Sequence, residues 1–317
     1  MANSKNENNP MLSNQINGSI RVALAACIWG AAYPLTKLVL SDLPPITLGF
    51  LRFSLAAFFF MAITRSLPMN GVAQEDRHVF FRLAFWGVFM LILGMNFGLI
   101  WAPGIAASIL SGTPPLFTVV LAAIYLGEPM LKRHFISIGL ALAGLAMLSS
   151  DLNGAGTQIK SWKTIIGCLL TLIPQFSWAM YGIIGKKLSE RYSWRMICRD
   201  TFTIGSAMLL LPAAVEIYFL GIGNWSGNSF LILFYLAIMN SVVTYSLWNS
   251  ALKLIPVSTA SFLIYLQPVS GAVLSYFLFG EKPGKVGMVG ILAIFFALLL
   301  VVGKISSKTN TLLKKEI

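Results

Sequence analysis

The chain has 317 residues, of which 57% are hydrophobic and only 11% charged, and its formal net charge is +12. That apolar share excludes an ordinary soluble domain and marks a polytopic membrane protein, in which an excess of Lys and Arg belongs to loops facing one side rather than to a nucleic-acid surface. Three cysteines without a CxxC pair and two histidines at loop edges, His78 and His134, supply no metal or His-based catalytic set, and nothing calls for a cofactor.

Residues 1–19 form a polar, Asn-rich tail, and the apolar run after it is long enough to span a bilayer and to act as the targeting signal. Ten such runs follow in order. They start near Ile20, Ile46, Val79, Gly104, His134, Trp162, Trp194, Ser229, Val257 and Gly284, and end near Leu40, Thr64, Trp101, Leu126, Ser149, Lys187, Leu220, Ala251, Phe279 and Gly303. The stretch 151–161, DLNGAGTQIKS, is a Gly-rich polar linker that separates a first half (20–150) from a second (162–303), and 304–317 is a basic tail.

The halves are related. PGIAASILSGTPPLFTVVLAAIYLGE at 103–128 falls, after a shift of 153, on PVSTASFLIYLQPVSGAVLSYFLFGE at 256–281. Pro103, Ala107, Ser108, Pro115, Gly127 and Glu128 land on Pro256, Ala260, Ser261, Pro268, Gly280 and Glu281, a coincidence of small, bent and charged positions that indicates duplication. Five helices is an odd number, so the second half enters from the opposite side and the repeats are inverted. With the N-terminus inside, seventeen of the 23 Lys and Arg residues face inward, which places both termini in the cytoplasm. Pro115 and Pro268 lie within their runs, where a proline removes a donor and strips the carbonyl four residues earlier, at Ser111 and Ile264, of its helical partner. Paired breaks of this kind point to the binding site and hinges of a transporter.

WGAAYPLTK, GFLRFSLAA, a Pro-bearing run ending LGEP and a second ending FGEK together resemble the EamA family of the drug/metabolite transporter superfamily, over essentially residues 20–303. The resemblance implies an all-α integral membrane protein of ten transmembrane helices in two inverted five-helix repeats. It also implies a bacterial inner (plasma) membrane transporter of small metabolites that exports amino acids or related compounds. The second half departs from the pattern, reading WAMYGIIGKK and then MICRDTF.

Polar and aromatic groups in the spans share helix faces. The eighth run carries Asn240, Thr244 and Trp248 at i, i+4 and i+8 with Ser241 and Tyr245 beside them; the first carries Trp29 and Tyr33; the sixth carries Gln175, Trp178 and Tyr181; the third adds Asn96 and the ninth Ser261, Tyr265 and Gln267. Such groups serve either as interhelical glue or as the lining of a pathway. The functional reading puts Trp29, Tyr33, Asn96, Gln175, Trp178, Tyr181, Asn240, Tyr245, Trp248 and Tyr265 around one cavity for a small organic molecule. Gly139 and Ala143, and Gly290, Ala293 and Ala297, form small-residue stripes that let the fifth and tenth helices approach.

Lys37 and Arg52 sit near the outer ends of their runs and read as snorkelling cations, although Lys37 could also draw a carboxylate to the outer mouth. Glu128 and Glu281 end their helices as interfacial partners for Lys132 and Lys285 or for backbone groups. No carboxylate falls at a span centre, so transport follows the substrate's own gradient, with Glu216 as the alternative proton site. An intramembrane enzyme would need a nucleophile and base or a metal set, and the spans contain no GxSxG and no central His.

Overall fold

A computed structural model describes residues 10–66, 71–102, 110–152, 162–279 and 284–313, and the regular elements among them are all helical. In chain order they are α1 (Pro10–Trp29), α2 (Ala32–Val39), α3 (Pro45–Ile63), α4 (Arg77–Ala84), α5 (Leu91–Trp101), α6 (Pro114–Leu126) and α7 (Lys132–Leu152). Then come α8 (Trp162–Arg191), α9 (Trp194–Leu220), α10 (Gly227–Ala237), α11 (Thr244–Ala251), α12 (Val257–Leu263), α13 (Leu266–Phe279) and α14 (Lys285–Leu313). Two π-helical stretches, Phe85–Met90 and Ile238–Val243, join α4 to α5 and α10 to α11.

Among the described residues six stretches are long and apolar enough to cross a bilayer: Ser13–Val39, Pro45–Ile63, Gln74–Trp101, Ile165–Arg191, Trp194–Leu220 and Gly227–Ala251. They coincide with the first, second, third, sixth, seventh and eighth expected runs, and the chain is a multi-pass membrane protein. Two ends differ from expectation. Helix α1 starts at Pro10, inside the polar tail, where Asn17 accepts from the Arg21 guanidinium one turn on at 3.1 Å, and α14 continues to Leu313. Pro103, Ala107 and Ser108 of the first copy, Gly280 and Glu281 of the second, and linker residues 153–161 lie outside the described residues.

The first expected run is two helices because Pro34 sits four residues after Gly30, and its ring conflicts with that carbonyl. The turn at Gly30 lies against α13: a Cβ on Gly30 would lie 2.1 Å from the Ser270 hydroxyl and 2.7 Å from the Gln267 carbonyl. The corresponding run of the second half, where a shift of 149 puts Trp178 in place of Trp29, Ala179 in place of Gly30 and Ile183 in place of Pro34, stays one helix, and its own Pro174 packs against Gly94 of α5.

Neither Pro115 nor Pro268 is an interior proline, which corrects the expected geometry. Pro114 and Pro115 occupy the first turn of α6, where a missing N–H costs nothing, and α13 begins two residues before Pro268. The interruptions themselves fall at Ser111–Thr113 and Ile264–Tyr265, which the shift of 153 superimposes. The Ile264 carbonyl is retaken by the Gln267 N–H at 2.8 Å, so the break is closed by a tight turn.

Helix ends are bonded across helices. Gly127, at φ 66°, closes α6 in a left-handed turn that favours glycine, and Glu128 beyond it accepts from the N–H groups of Val257 (2.9 Å) and Ser258 (3.1 Å) and from the Ser258 hydroxyl. Glu128 therefore holds the start of α12, and no ion pair with Lys132 forms. Glu216 of α9 accepts from the N–H groups of Ile46 (3.2 Å) and Thr47 (2.6 Å) and from the Thr47 hydroxyl (2.8 Å), so the carboxylate considered for proton coupling caps the first turn of α3.

Packing follows pairs: α3 with α9, α7 with α14, α1 with α11 and α13, and α8 with α5 and α6. At α7–α14 the Ser137 hydroxyl donates to the Ala297 carbonyl at 2.7 Å, and a Cβ on Gly144 would come within 2.6 Å of the Gly290 carbonyl. The close stripe on α7 is thus Ser137, Ala141 and Gly144; Ala143 is exposed and nothing lies within 4 Å of a Cβ at Gly139.

Replacing Glu216 with Ala leaves N–H groups at the start of α3 without their acceptor, and should destabilise the fold by roughly 2 kcal/mol. A melting curve in detergent reads the loss, and an unchanged midpoint would refute the capping role.

Candidate functional site

The site starts from the π stretch at Ile238–Val243, which disturbs the regular ladder of its helix. The Thr244 N–H bonds to the Met239 and Ser241 carbonyls, so the Asn240 carbonyl loses its usual α-helical donor. Three side chains take it: the Trp29 indole N–H at 3.2 Å, an Arg52 Nη2 at 3.2 Å and the Thr244 hydroxyl at 2.8 Å. The Asn240 amide donates in turn to the Ile28 carbonyl at 3.1 Å, and Arg52 Nε to the Ser241 hydroxyl oxygen at 2.9 Å.

The other π stretch lies 153 residues earlier, and the residue matching Asn240 is Gly87. Its carbonyl accepts from the Tyr245 hydroxyl at 3.0 Å, and a side chain there is sterically blocked, since a Cβ would lie 2.2 Å from the Tyr181 ring. Each π stretch thus offers a carbonyl to a side chain from the other half of the chain.

Between these two points five aromatic side chains pack. Trp29 meets Trp178 edge-on with centroids 4.7 Å apart, Trp178 stacks on Tyr181 at 5.3 Å, and Trp248 and Tyr245 lie 4.9 and 5.4 Å from Trp178. Their polar ends are partly satisfied: the Asn249 amide donates to the Tyr181 hydroxyl at 2.6 Å and the Tyr245 carbonyl at 2.9 Å, while the Trp178 indole N–H has no acceptor among the described residues.

Against this layer opens a cavity with about 550 Å³ of unfilled space, counting its mouth. Its wall is Trp29, Ala32, Arg52, Leu91, Met95, Pro114, Pro174, Gln175, Trp178, Asn240, Tyr245, Ile264 and Gln267. Both interrupted helices reach it, through Pro114 and Ile264. The wall is mostly apolar with a few polar groups, as small-molecule sites are.

Of the residues expected around one cavity, Trp29, Gln175, Trp178, Asn240 and Tyr245 line it. Tyr181 and Trp248 sit behind the wall in the aromatic layer. Asn96 does not reach the cavity, because its amide donates to the Pro45 carbonyl at 2.7 Å, and Tyr265 packs with Phe262 in a separate core that includes Val119 and Ile138. The side chain of Tyr33 lies outside the described residues.

Arg52 corrects the snorkelling reading. It is 5% exposed and points into the bundle, seven residues or about 10 Å from the start of α3. That depth was the available signal, since a snorkelling cation belongs within a turn or so of the interface. Gln267 was visible as a polar group of the ninth run but not assigned to the cavity, and Asn249 lacked a comparable signal as long as the rotation of its helix was unknown.

A model of the EamA-like transporter family matches the chain twice, over residues 16–150 and 165–303. A protein of Archaeoglobus fulgidus described as an uncharacterized transporter is 29% identical over 266 residues, 83% of this chain and 89% of its own. A probable amino-acid metabolite efflux pump of Escherichia coli K12 is 28% identical over 291 residues, 87% of this chain and 92% of its own. A solved crystal structure covers 92% of this chain and 96% of its own at a TM-score of 0.72, with 19% identity, and shares the fold.

The Gly87–Tyr181 contact can be tested by size. Gly87→Val forces atoms into the tyrosine ring and should destabilise by roughly 1–3 kcal/mol or more, with a changed tryptophan emission as the aromatic layer shifts. Adding Tyr181→Leu should recover part of the loss; a double variant no more stable than Gly87→Val refutes the contact's role.

Proposed function

The chain belongs to the EamA-like transporter family, and on that footing we propose that it carries a small organic metabolite, an amino acid or related compound, out of the cell by alternating access. The observation that carries the reading is the cavity reached by both interrupted helices and blocked on one side by the packed rings of Trp29, Trp178, Tyr181, Tyr245 and Trp248. A site that admits its ligand from one side and holds a seal on the other is what alternating access requires.

Ten spans in two inverted repeats, 20–150 and 162–303, agree with several independent observations. The family model matches twice. The π stretches and the interruptions each recur at a spacing of 153. The helix pairings also exchange under the same correspondence, α1 with α11 for α8 with α5, and α1 with α13 for α8 with α6, while α3–α9 and α7–α14 map onto themselves. On this reading the halves rock about α3–α9 and α7–α14, and the turns before Pro115 and Pro268 absorb the bend. Both termini lie in the cytoplasm, the membrane is a bacterial inner membrane, and flux follows the substrate's own gradient.

In proteoliposomes the protein should give saturable flux of at least one member of a panel of amino acids and related acids, unchanged by an imposed pH gradient. Gln175→Leu should reduce it severalfold at normal expression. An absence of flux across the panel, or a Gln175→Leu variant equal to the parent, counts against the reading. For topology, single cysteines at Lys132 and Lys163 in a background without native cysteines should label from opposite sides; labelling from one side would overturn the inverted arrangement.

A further inference from the structure

We propose that Arg52 is the recognition group for a carboxylate, and that the substrate class is a small organic anion with one carboxylate, an apolar body and no free amine. The inference rests on the reading of the cavity as the transport site, and narrows its substrate from amino acids and related compounds to the related acids.

A guanidinium carried two turns into a span is costly unless an anion or a full set of hydrogen bonds compensates it. Among the described residues Arg52 has neither. Its bonds are to two neutral oxygens, the Ser241 hydroxyl at 2.9 Å and the Asn240 carbonyl at 3.2 Å. Guanidinium carries five N–H donors, and among the described residues no Asp or Glu forms an ion pair with it. The group nonetheless lines the cavity, with its position set by the π stretch through those two oxygens.

The rest of the wall decides what kind of anion fits. Among the described residues of the wall Arg52 is the only charged one, so a bound monoanion neutralises it, whereas a cation would meet no opposing charge there. The Trp178 ring, also in the wall, adds an aromatic surface. Leu91, Met95 and Ile264 of the same wall suit an apolar body. The ammonium of a free amino acid would find amide and backbone oxygens but no carboxylate. A zwitterion therefore gains less than the acid lacking the amine.

The test uses a matched series differing only in charge: 3-phenylpropionate, 3-phenylpropanamide, phenylalanine and 2-phenylethylamine, with butyrate as a smaller carboxylate. Binding to the protein in nanodiscs is read by quenching of tryptophan emission, and flux is read in proteoliposomes. The parent should bind a carboxylate of the series on the order of tenfold or more tighter than the amide, the zwitterion or the amine, the range of a charge-assisted pair. Arg52→Gln should weaken carboxylate binding on the order of tenfold to a hundredfold and leave the amide unchanged, with Arg52→Lys between them. Equal loss for carboxylate and amide would mean that Arg52 only holds the helices, and would overturn the proposal. So would a parent that binds carboxylate and amide alike, prefers the zwitterion or the amine, or binds no carboxylate of the series. The parent's own ligand series decides the matter even where Arg52→Gln fails to fold. Charge-selective binding without flux would refute the transport reading and leave this one standing; flux without dependence on Arg52 would do the reverse.

Discussion

The Asn240 carbonyl is the constraint on which the site depends. In a regular helix that oxygen would be taken by the Thr244 N–H; here it holds Trp29 of α1 and Arg52 of α3 to the same point of the eighth span. Inside a membrane a carbonyl without its usual donor is tolerated only when protein or a wet cavity satisfies it. The π stretch therefore forces side chains from other helices to converge, and convergence defines one end of the cavity. The same device at Gly87 fixes Tyr245.

Helix ends within the bundle follow the same rule. The starts of two helices leave N–H groups without intrahelical acceptors, and they are served by carboxylates from elsewhere in the chain: Glu128 at the start of α12 and Glu216 at the start of α3. These acids are thereby committed to structure, and bonds of this kind hold rigid segments while leaving the short turns between them as the places where the backbone can bend.

The two halves are alike in plan and unlike in the details that shape the cavity. Trp29 has its N–H bonded to the Asn240 carbonyl, whereas the Gly87 carbonyl is bonded by Tyr245, and the N–H of the corresponding Trp178 is buried without an acceptor among the described residues. Gly30 and Pro34 bend the first span tightly onto Ser270 and Gln267, and their counterparts Ala179 and Ile183 leave α8 straight. Two halves that match the same family model thus carry an asymmetric wall, in which Arg52 is the one charge among the described residues.

Patterns that are local or periodic were legible in the amino-acid sequence: the apolar runs, the duplication around Pro115 and Pro268, and the polar stripe of the eighth span, all set by covalent order and by the need to hide backbone from lipid. The convergence of Trp29, Gln175, Trp178, Asn240 and Tyr245 could be anticipated because helical spacing puts each on an inward face. Tertiary structure alone decided the rest. A π stretch changes the rotation of every later residue in its helix, so spacing could not place Asn249; Asn96 and Tyr265 obey the same periodicity, but the neighbours they meet are the Pro45 carbonyl and Phe262. Arg52 was ambiguous for a related reason. Its long side chain can reach either outward to the interface or inward to the bundle, and only the position of the Asn240 carbonyl and the Ser241 hydroxyl, on a helix 188 residues away in sequence, turns it inward.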